Sequence, residues 1–140
     1  MSFNLSDLHR IQCDLAFATD AGRWDDFVGC FVAKAPVDYG SLGAGEIEHI
    51  AESIRESQAQ YQGTMNLVGT HSARVDGDRA LAETYVVSHH FRADDNQSWD
   101  DQAGTHYVDR FVRVSEGWRI CERTANLRWF KSVPAESGWL

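Results

Sequence analysis

Among the side chains of this sequence suited to moving a proton near neutral pH is an adjacent pair, His89 and His90, in the run Tyr85-Val86-Val87-Ser88-His89-His90-Phe91. In a strand, alternation sends one of them to each face. If Asp76-Gly77 forms a two-residue hairpin loop, His89 shares a face with Asn66, whereas a three-residue loop puts His90 there. The ordinary alternative for either is a partly exposed sheet histidine. A carboxylate stands out earlier, because Cys13, Ala16, Phe17 and Asp20 recur at helical spacing and Asp20 ends that face. Asp20 then points at packed structure or a cavity, or caps the next helix through the amides near Trp24.

Tyr39, Tyr85 and Tyr107 each bring a hydroxyl that needs a partner when buried. One lying near Asp20 and His90 would form a hydrogen-bonding site. Arg119 and Arg123 sit on the last strand, where cross-strand ion pairs with Glu122 and Arg110 are the simplest account of the charges. The two histidines cannot both address one ion from a regular strand, and no His-x-His or His-Glu-x-x-His spacing occurs, so no metal site is expected. Nucleophile-elbow, phosphate-loop and dinucleotide patterns are missing, and Gly40, Gly43 and Gly45 read as loop glycines.

The elements that must position these groups follow from periodicity. Ser6 is a plausible N-cap for a helix whose stripe is Leu8, Ile11, Leu15 and Ala18. A short helix over 23–31 follows. The segment 35–40 reads as a minor strand or turn, and 46–62 as an amphipathic helix with Ile47, Ile50, Ala51, Ile54 and Tyr61 on one face. From Gly63 onward the chain reads as antiparallel sheet, with strands over 64–75, 79–92, 104–115 and 117–130, and an acidic solvated connection over 94–101. Helices followed by long hairpin-linked strands make an α+β pattern, a curved sheet wrapping a helical layer.

Composition bounds the rest. The 140 residues suit one domain spanning 1–140, and 43% hydrophobic content can furnish a core. A net charge of −8 with scattered Lys and Arg argues against nucleic acid or an anionic membrane as partner. Cys13, Cys30 and Cys121, odd in number and without CxxC spacing, suit a reducing compartment. The start Met1-Ser2-Phe3-Asn4 has no charged n-region or apolar h-region, so a cytoplasmic location is expected.

Four segments in register carry a resemblance: Thr19-Asp20-Ala21-Gly22-Arg23-Trp24-Asp25, Val37-Asp38-Tyr39-Gly40-Ser41, Val75-Asp76-Gly77-Asp78-Arg79-Ala80, and Gly117-Trp118-Arg119-Ile120 continuing to Leu127-Arg128-Trp129. Together they resemble the SnoaL-like branch of the nuclear-transport-factor-two-like superfamily, most of all scytalone dehydratase, with bile-acid dehydratase and hexachlorocyclohexane dehydrochlorinase as further relatives. The resemblance implies a cone-shaped α+β barrel, its curved antiparallel sheet packed on N-terminal helices around one deep, mostly apolar pocket. It further implies a lyase without metal or organic cofactor, a dehydratase-type elimination on a small hydroxylated cyclic or aromatic compound, and homo-oligomers, trimers or dimers, that bury outer-face residues such as Trp118 or Phe130. By position Asp20, His90 and Tyr39 take the catalytic places. Asn66, Arg123, Phe17, Trp24, Tyr107 and His89 would contact substrate, and Met65, Val87 and Leu127 would help shape the pocket.

One departure bears on activity. The family's base is a histidine held by the aspartate, and its place here is Asn66, whose amide takes up no proton near neutral pH; Thr19 likewise replaces a tyrosine. Either His90 serves as base or acid, with Asp20 orienting it or acting itself as a carboxylate whose pKa is lifted by the apolar surroundings of Phe17, or the chain is a non-catalytic protein of the same fold that binds a small apolar or aromatic ligand or serves as an assembly subunit. An isomerase, cyclase or epoxide hydrolase using the same pocket is the remaining reading.

Overall fold

The computed structural model describes residues 5–136, with the side chains of Leu5 and Ser6 left out of the description; Met1-Ser2-Phe3-Asn4, on which the targeting expectation rests, lies outside it. The order is α1 (Leu5–Ala21), α2 (Trp24–Gly29), β1 (Pro36–Asp38), a 3-10 turn (Gly40–Leu42), β2 (Ala44–Glu46), α3 (Ile47–Gln58), β3 (Gly63–Asp76), β4 (Arg79–Asp94), β5 (Gln97–Val114) and β6 (Gly117–Ala135). The strands form one six-stranded sheet in the order β2-β1-β6-β5-β4-β3. Every pairing is antiparallel except that of β1 with β6.

The stripe of α1 packs as its spacing requires: Leu8, Leu15 and Ala18 are buried, with Ile11 packed against them. The helix begins at Leu5, so Ser6 lies within its first turn instead of ahead of it. Asp20 does not cap α2, whose N-cap is Arg23 without a side-chain cap bond. On α3, Ile47, Ile50, Ala51 and Ile54 are buried. Tyr61 falls beyond the helix end. The core joins these helix faces to Ala80, Ala82, Phe111, Trp118 and Ile120 of the sheet.

Curvature comes from one-residue bulges, which bend the strand that carries the extra residue and increase its twist. On β3 the pairing steps from Val68↔Val86 to His71↔Thr84. On β6 it steps twice, opposite Gly104/Thr105 and opposite Arg110/Phe111. The bent sheet wraps its concave face around the helices.

The acidic stretch is corrected: only Asp95-Asn96 connects β4 to β5, because Asp94 pairs with Gln97. Asp100 and Asp101 are buried strand residues, their charges met by His89 and Gln102 on one face and by Arg92 and Ser132 on the other. Trp118 is also buried within the single chain, with the Arg113 guanidinium over its ring, so it offers no surface to another copy; Phe130 is exposed. Among the described residues no helix is long and apolar enough to cross a membrane.

Candidate functional site

The concave face of the sheet and the inner faces of α1 and α3 enclose a cavity of about 390 Å³. Its wall is largely apolar: Leu15, Ala16, Phe27, Leu42, Ile54, Val68, Val86, Ala103 and Leu127. Into it are set Gln12, Tyr39, Gln58, Asn66, Ser88, His90, Thr105, Tyr107 and Arg123. A volume of this size with a few convergent polar groups is what small-ligand sites present.

The bulge on β3 decides which histidine enters. The hairpin loop has two residues, Gly77 and Asp78, since Asp76 pairs with Arg79, and by turn length alone that sends His89 to the face of Asn66. The residue added between Val68 and His71 reverses the parity, so Asn66 lies opposite Ser88, and Ser88 and His90 share its face. His90 therefore lines the cavity. His89 lies on the convex face, where its Nδ1 is 2.7 Å from Asp100 Oδ2 and its ring stacks on Phe91.

His90 is held in a defined state. Its Nδ1 is 2.9 Å from the carbonyl oxygen of Asp101, and since a carbonyl only accepts, Nδ1 carries the hydrogen. In the neutral ring Nε2 is then the free lone pair. The Tyr61 ring packs on the imidazole with centroids 4.9 Å apart. Behind it, Asp101 accepts from Arg92 Nε at 2.8 Å and from Ser132 Oγ at 2.6 Å. Burial pushes the Asp101 carboxyl up, but these hydrogen bonds outweigh it and hold it below its ordinary value.

Asp20 and His90 do not meet. Asp20 is not part of the cavity wall; its Oδ1 accepts from Thr64 Oγ1 at 2.9 Å and from Asn66 Nδ2 at 2.7 Å, and its Oδ2 accepts from the Asn66 backbone N–H at 3.1 Å. With both oxygens engaged it orients Asn66, which faces the cavity in its stead. Neither a direct contact of Asp20 with His90 nor a role as base in the cavity fits this arrangement.

The far wall is a buried ionic network. Arg123 donates to Asp109 through Nε at 2.7 Å and Nη2 at 3.0 Å, to Gln12 Oε1 at 2.6 Å, and through Nη1 to the Tyr39 hydroxyl at 3.1 Å. Gln12 Nε2 donates to Asp109 Oδ2 at 2.8 Å, closing the ring. The guanidinium also lies 4.0 Å from the centre of the Tyr107 ring, which meets Tyr39 edge-on. Burial disfavours the charge on Arg123, yet Asp109 more than offsets this and keeps the group firmly cationic. Burial raises both phenols, and Arg123 only partly opposes it. Because the Tyr39 oxygen accepts from Arg123, its own O–H is left to donate into the cavity. The expected pairing of Arg123 with Glu122 or Arg110 is corrected: Arg110 and Glu122 face each other, at 3.7 Å on the exposed side, and the partner of Arg123 is Asp109.

Several expected lining residues lie elsewhere, each for a plain reason of parity or helix phase. Phe17 is 68% exposed on the outer side of α1, so it neither touches the cavity nor shields Asp20. Trp24 packs edge-on against Phe27, one layer behind the wall. Met65 and Val87 alternate onto the convex face and are exposed. Gln12, Gln58, Ser88 and Asp109 were not singled out from the sequence. Gln12 is four residues from Leu8 and three from Leu15, on the same helical face, and Ser88 and Asp109 alternate in step with Val86 and Phe111. The signal was present in the spacing but masked by residue polarity. Among the described residues no group of three or more His, Cys, Asp or Glu is placed to hold a metal ion.

A model of the SnoaL-like domain matches residues 5–124. Uncharacterized proteins of Mycobacterium tuberculosis and Mycobacterium bovis are 30% identical over 119 residues, which cover 84% of this chain and 80% of theirs. The chain is similar in fold to a provisionally named scytalone dehydratase of Novosphingobium aromaticivorans, with TM-score 0.81, 15% identity, and coverage of 96% of this chain and 90% of that one. It is also similar to a hexachlorocyclohexane dehydrochlorinase of Novosphingobium barchaimii, with TM-score 0.79, 12% identity, and coverage of 96% and 92%. At such identities these likenesses show the fold alone.

Proposed function

This chain belongs to the SnoaL-like domain family, and from that premise we propose that it is a cofactor-independent lyase which eliminates water from a small, neutral, hydroxylated cyclic or aromatic ketone. The observation that carries the reading is that His90 is the one cavity-lining side chain, among the described residues, whose ordinary pKa lies near neutrality, and that it is held with Nε2 open to the cavity. The carbonyl-bearing end of the ligand belongs beside Tyr39, whose hydroxyl Arg123 leaves free to donate. Since Asp109 neutralises Arg123, the wall offers no uncompensated charge, which favours a neutral ligand over a carboxylate.

The chemistry needs a single proton carrier. His90 Nε2 takes the proton from the carbon beside the carbonyl, and the electron pair flows toward the carbonyl oxygen, where the Tyr39 O–H stabilises the developing enolate. As the enolate collapses, the carbon–carbon double bond forms and the β carbon–oxygen bond breaks. The imidazolium returns its proton to the departing hydroxyl, giving water and a conjugated ketone. Asn66 and Ser88 are on hand to hydrogen-bond the leaving oxygen. Likeness to the dehydratase and dehydrochlorinase folds supports an eliminating enzyme, and the names of those proteins describe them, not this one.

The test is a screen of cyclic β-hydroxy ketones for the ultraviolet absorbance of the enone product, with His90→Gln beside wild type. A fall in kcat/KM of about 100-fold or more is expected; equal rates in the two proteins exclude the assignment. A second reading, a ligand-binding protein without chemistry, is favoured by Asn66 standing where the resemblance implies a histidine. Saturable binding with no product from any ketone would select it.

A further inference from the structure

Asn66 stands in the cavity wall, and Asp20, which holds it, lies outside that wall. Asn66 Nδ2 donates to Asp20 Oδ1 at 2.7 Å, and its backbone N–H donates to Asp20 Oδ2 at 3.1 Å. An ionised carboxylate only accepts, so the amide cannot turn over without setting its oxygen against that of Asp20. The planar group therefore keeps its nitrogen toward Asp20 and its Oδ1 turned away, on the cavity side. That oxygen receives no hydrogen bond among the described residues. Nor is it closed off: among those residues the unpartnered side-chain oxygens shut from solvent are Gln58 Oε1 and Asp100 Oδ1, whereas Asn66 is half-buried and its Oδ1 stays reachable. Ser88 lies directly opposite Asn66 on β4, and His90, two residues on, faces the same way with Nε2 as a lone pair. This end of the cavity is thus built to accept, while the Tyr39 hydroxyl at the other end is left to donate.

We propose that Asn66 is a specificity-determining residue that works as an acceptor: its Oδ1 takes a hydrogen bond from a hydroxyl or N–H on the ligand, so that the cavity selects molecules bringing a donor to the His90 end. This rests on the reading of the cavity as a small-ligand site, and it does not depend on turnover. An apolar ring fits the surrounding wall of Ile54, Val86 and Leu127, and a hydroxyl on its rim meets Oδ1. A methoxy group in the same place brings a second acceptor and a methyl, and leaves Oδ1 stripped of water and unpaired. In a β-hydroxy ketone the hydroxyl is the donor and the carbonyl the acceptor, so the contact also fixes which way round the molecule lies, hydroxyl to Asn66 and carbonyl to Tyr39.

The experiment compares 2-naphthol with 2-methoxynaphthalene, which differ in the donor, by calorimetric titration of wild type, Asn66→Leu and Asn66→Gln. Leu keeps a branched side chain and removes the acceptor; Gln keeps an amide that can donate to Asp20 and accept from the ligand. Wild type is expected to favour the naphthol by roughly three- to tenfold, the worth of one hydrogen bond to a neutral acceptor. Asn66→Leu should lose most of that preference, although His90 Nε2 is still present, and Asn66→Gln should retain the larger part. A preference unchanged in Asn66→Leu, equal loss in both variants, or no saturable binding of either probe to wild type overturns the proposal. Near-ultraviolet circular dichroism establishes that each variant is folded, and Asn66→Ala stands in for Asn66→Leu if the latter is not. The catalytic reading fails separately. If His90→Gln turns over ketones like wild type while the naphthol preference still depends on Asn66, elimination by His90 is wrong and the recognition role of Asn66 stands; if His90→Gln is inactive while Asn66→Leu keeps the preference, the reverse holds.

Discussion

The carboxylate of Asp20 and the side-chain amide of Asn66 are locked together, Nδ2 donating to Oδ1 at 2.7 Å while the Asn66 backbone N–H donates to Oδ2 at 3.1 Å. A carboxylate behind a polar residue that faces a cavity is the geometry that holds an acid–base group in one orientation, and here the residue so held cannot titrate. The group so clamped is an amide, at the position where the resemblance implies a histidine.

Asn66→His should therefore place an imidazole against a ready-made carboxylate, with its other nitrogen facing the cavity. On a ketone that wild type dehydrates, kcat is expected to rise by roughly tenfold or more. Steady-state kinetics with the same enone readout checks this, and an unchanged or lower kcat in a folded variant counts against the cavity as a site of elimination.

Asp20→Ala removes the acceptor for three donors, Thr64 Oγ1, Asn66 Nδ2 and the Asn66 N–H. Part of the site is open to water, which can replace some of these bonds, so the loss should fall near the lower end of the range for charge-assisted bonds, about 1–2 kcal/mol. Urea denaturation measures it. Because Asp20 positions Asn66 and does not touch the cavity, naphthol affinity should fall in Asp20→Ala and be partly kept in Asp20→Asn, whereas a role confined to stability would leave affinity unchanged in both.

Arg123 and Asp109 are 3% and 0% exposed and bonded to each other. Arg123→Met strands a carboxylate that keeps, among the described residues, the Gln12 amide as its side-chain donor, and a loss of about 3–5 kcal/mol is expected. Adding Asp109→Leu should recover a large part of that loss, since the second change removes the unpaired charge. A double variant no more stable than Arg123→Met would mean that the pair is worth more than the cost of burying it.

His71 supplies a pH-dependent element. Its Nδ1 is 2.8 Å from Thr84 Oγ1, its Nε2 is buried with no hydrogen-bond partner among the described residues, and burial followed by the neighbouring His9 lowers its pKa from 6.5, against a weaker pull from Asp109. A histidine with a lowered folded pKa binds fewer protons folded than unfolded, so its contribution is fully present above pH 6.5 and is lost as pH falls from there through the lowered folded value. The urea midpoint of wild type should fall over that interval relative to His71→Asn, and the two curves should run parallel above it. Parallel curves throughout would show that His71 is as easily protonated in the folded chain as in the unfolded one.

Residue patterns alone determined a good deal. The stripe Leu8–Leu15–Ala18, the face Ile47–Ile50–Ile54 and the period-two runs after Gly63 dictate helices packed on a sheet, because only that arrangement buries each apolar face. Tyr39, Asn66, Tyr107 and Arg123 were legible as candidates for one site, since their types and spacing already coincide with the resemblance. Local signals were less able to place charged residues. Asp100 and Asp101 read as solvent-facing until their partners across β4 and β6 are seen, and Arg123 reads as an ion pair with its strand neighbours until Asp109 and Gln12 close around it.

The choice between His89 and His90 was beyond the sequence. It hangs on a single extra residue between Val68 and His71, which no propensity announces, and strand parity carries that one-residue shift to every side chain beyond it. The same holds for Asp20, whose helical phase brings it to the sheet but whose partner is set by where β3 crosses α1. Periodicity decides which face of an element is buried. What meets across the interior, and so which histidine faces the cavity and which carboxylate stands behind Asn66, depends on registers and crossings that exist only once the sheet has curved.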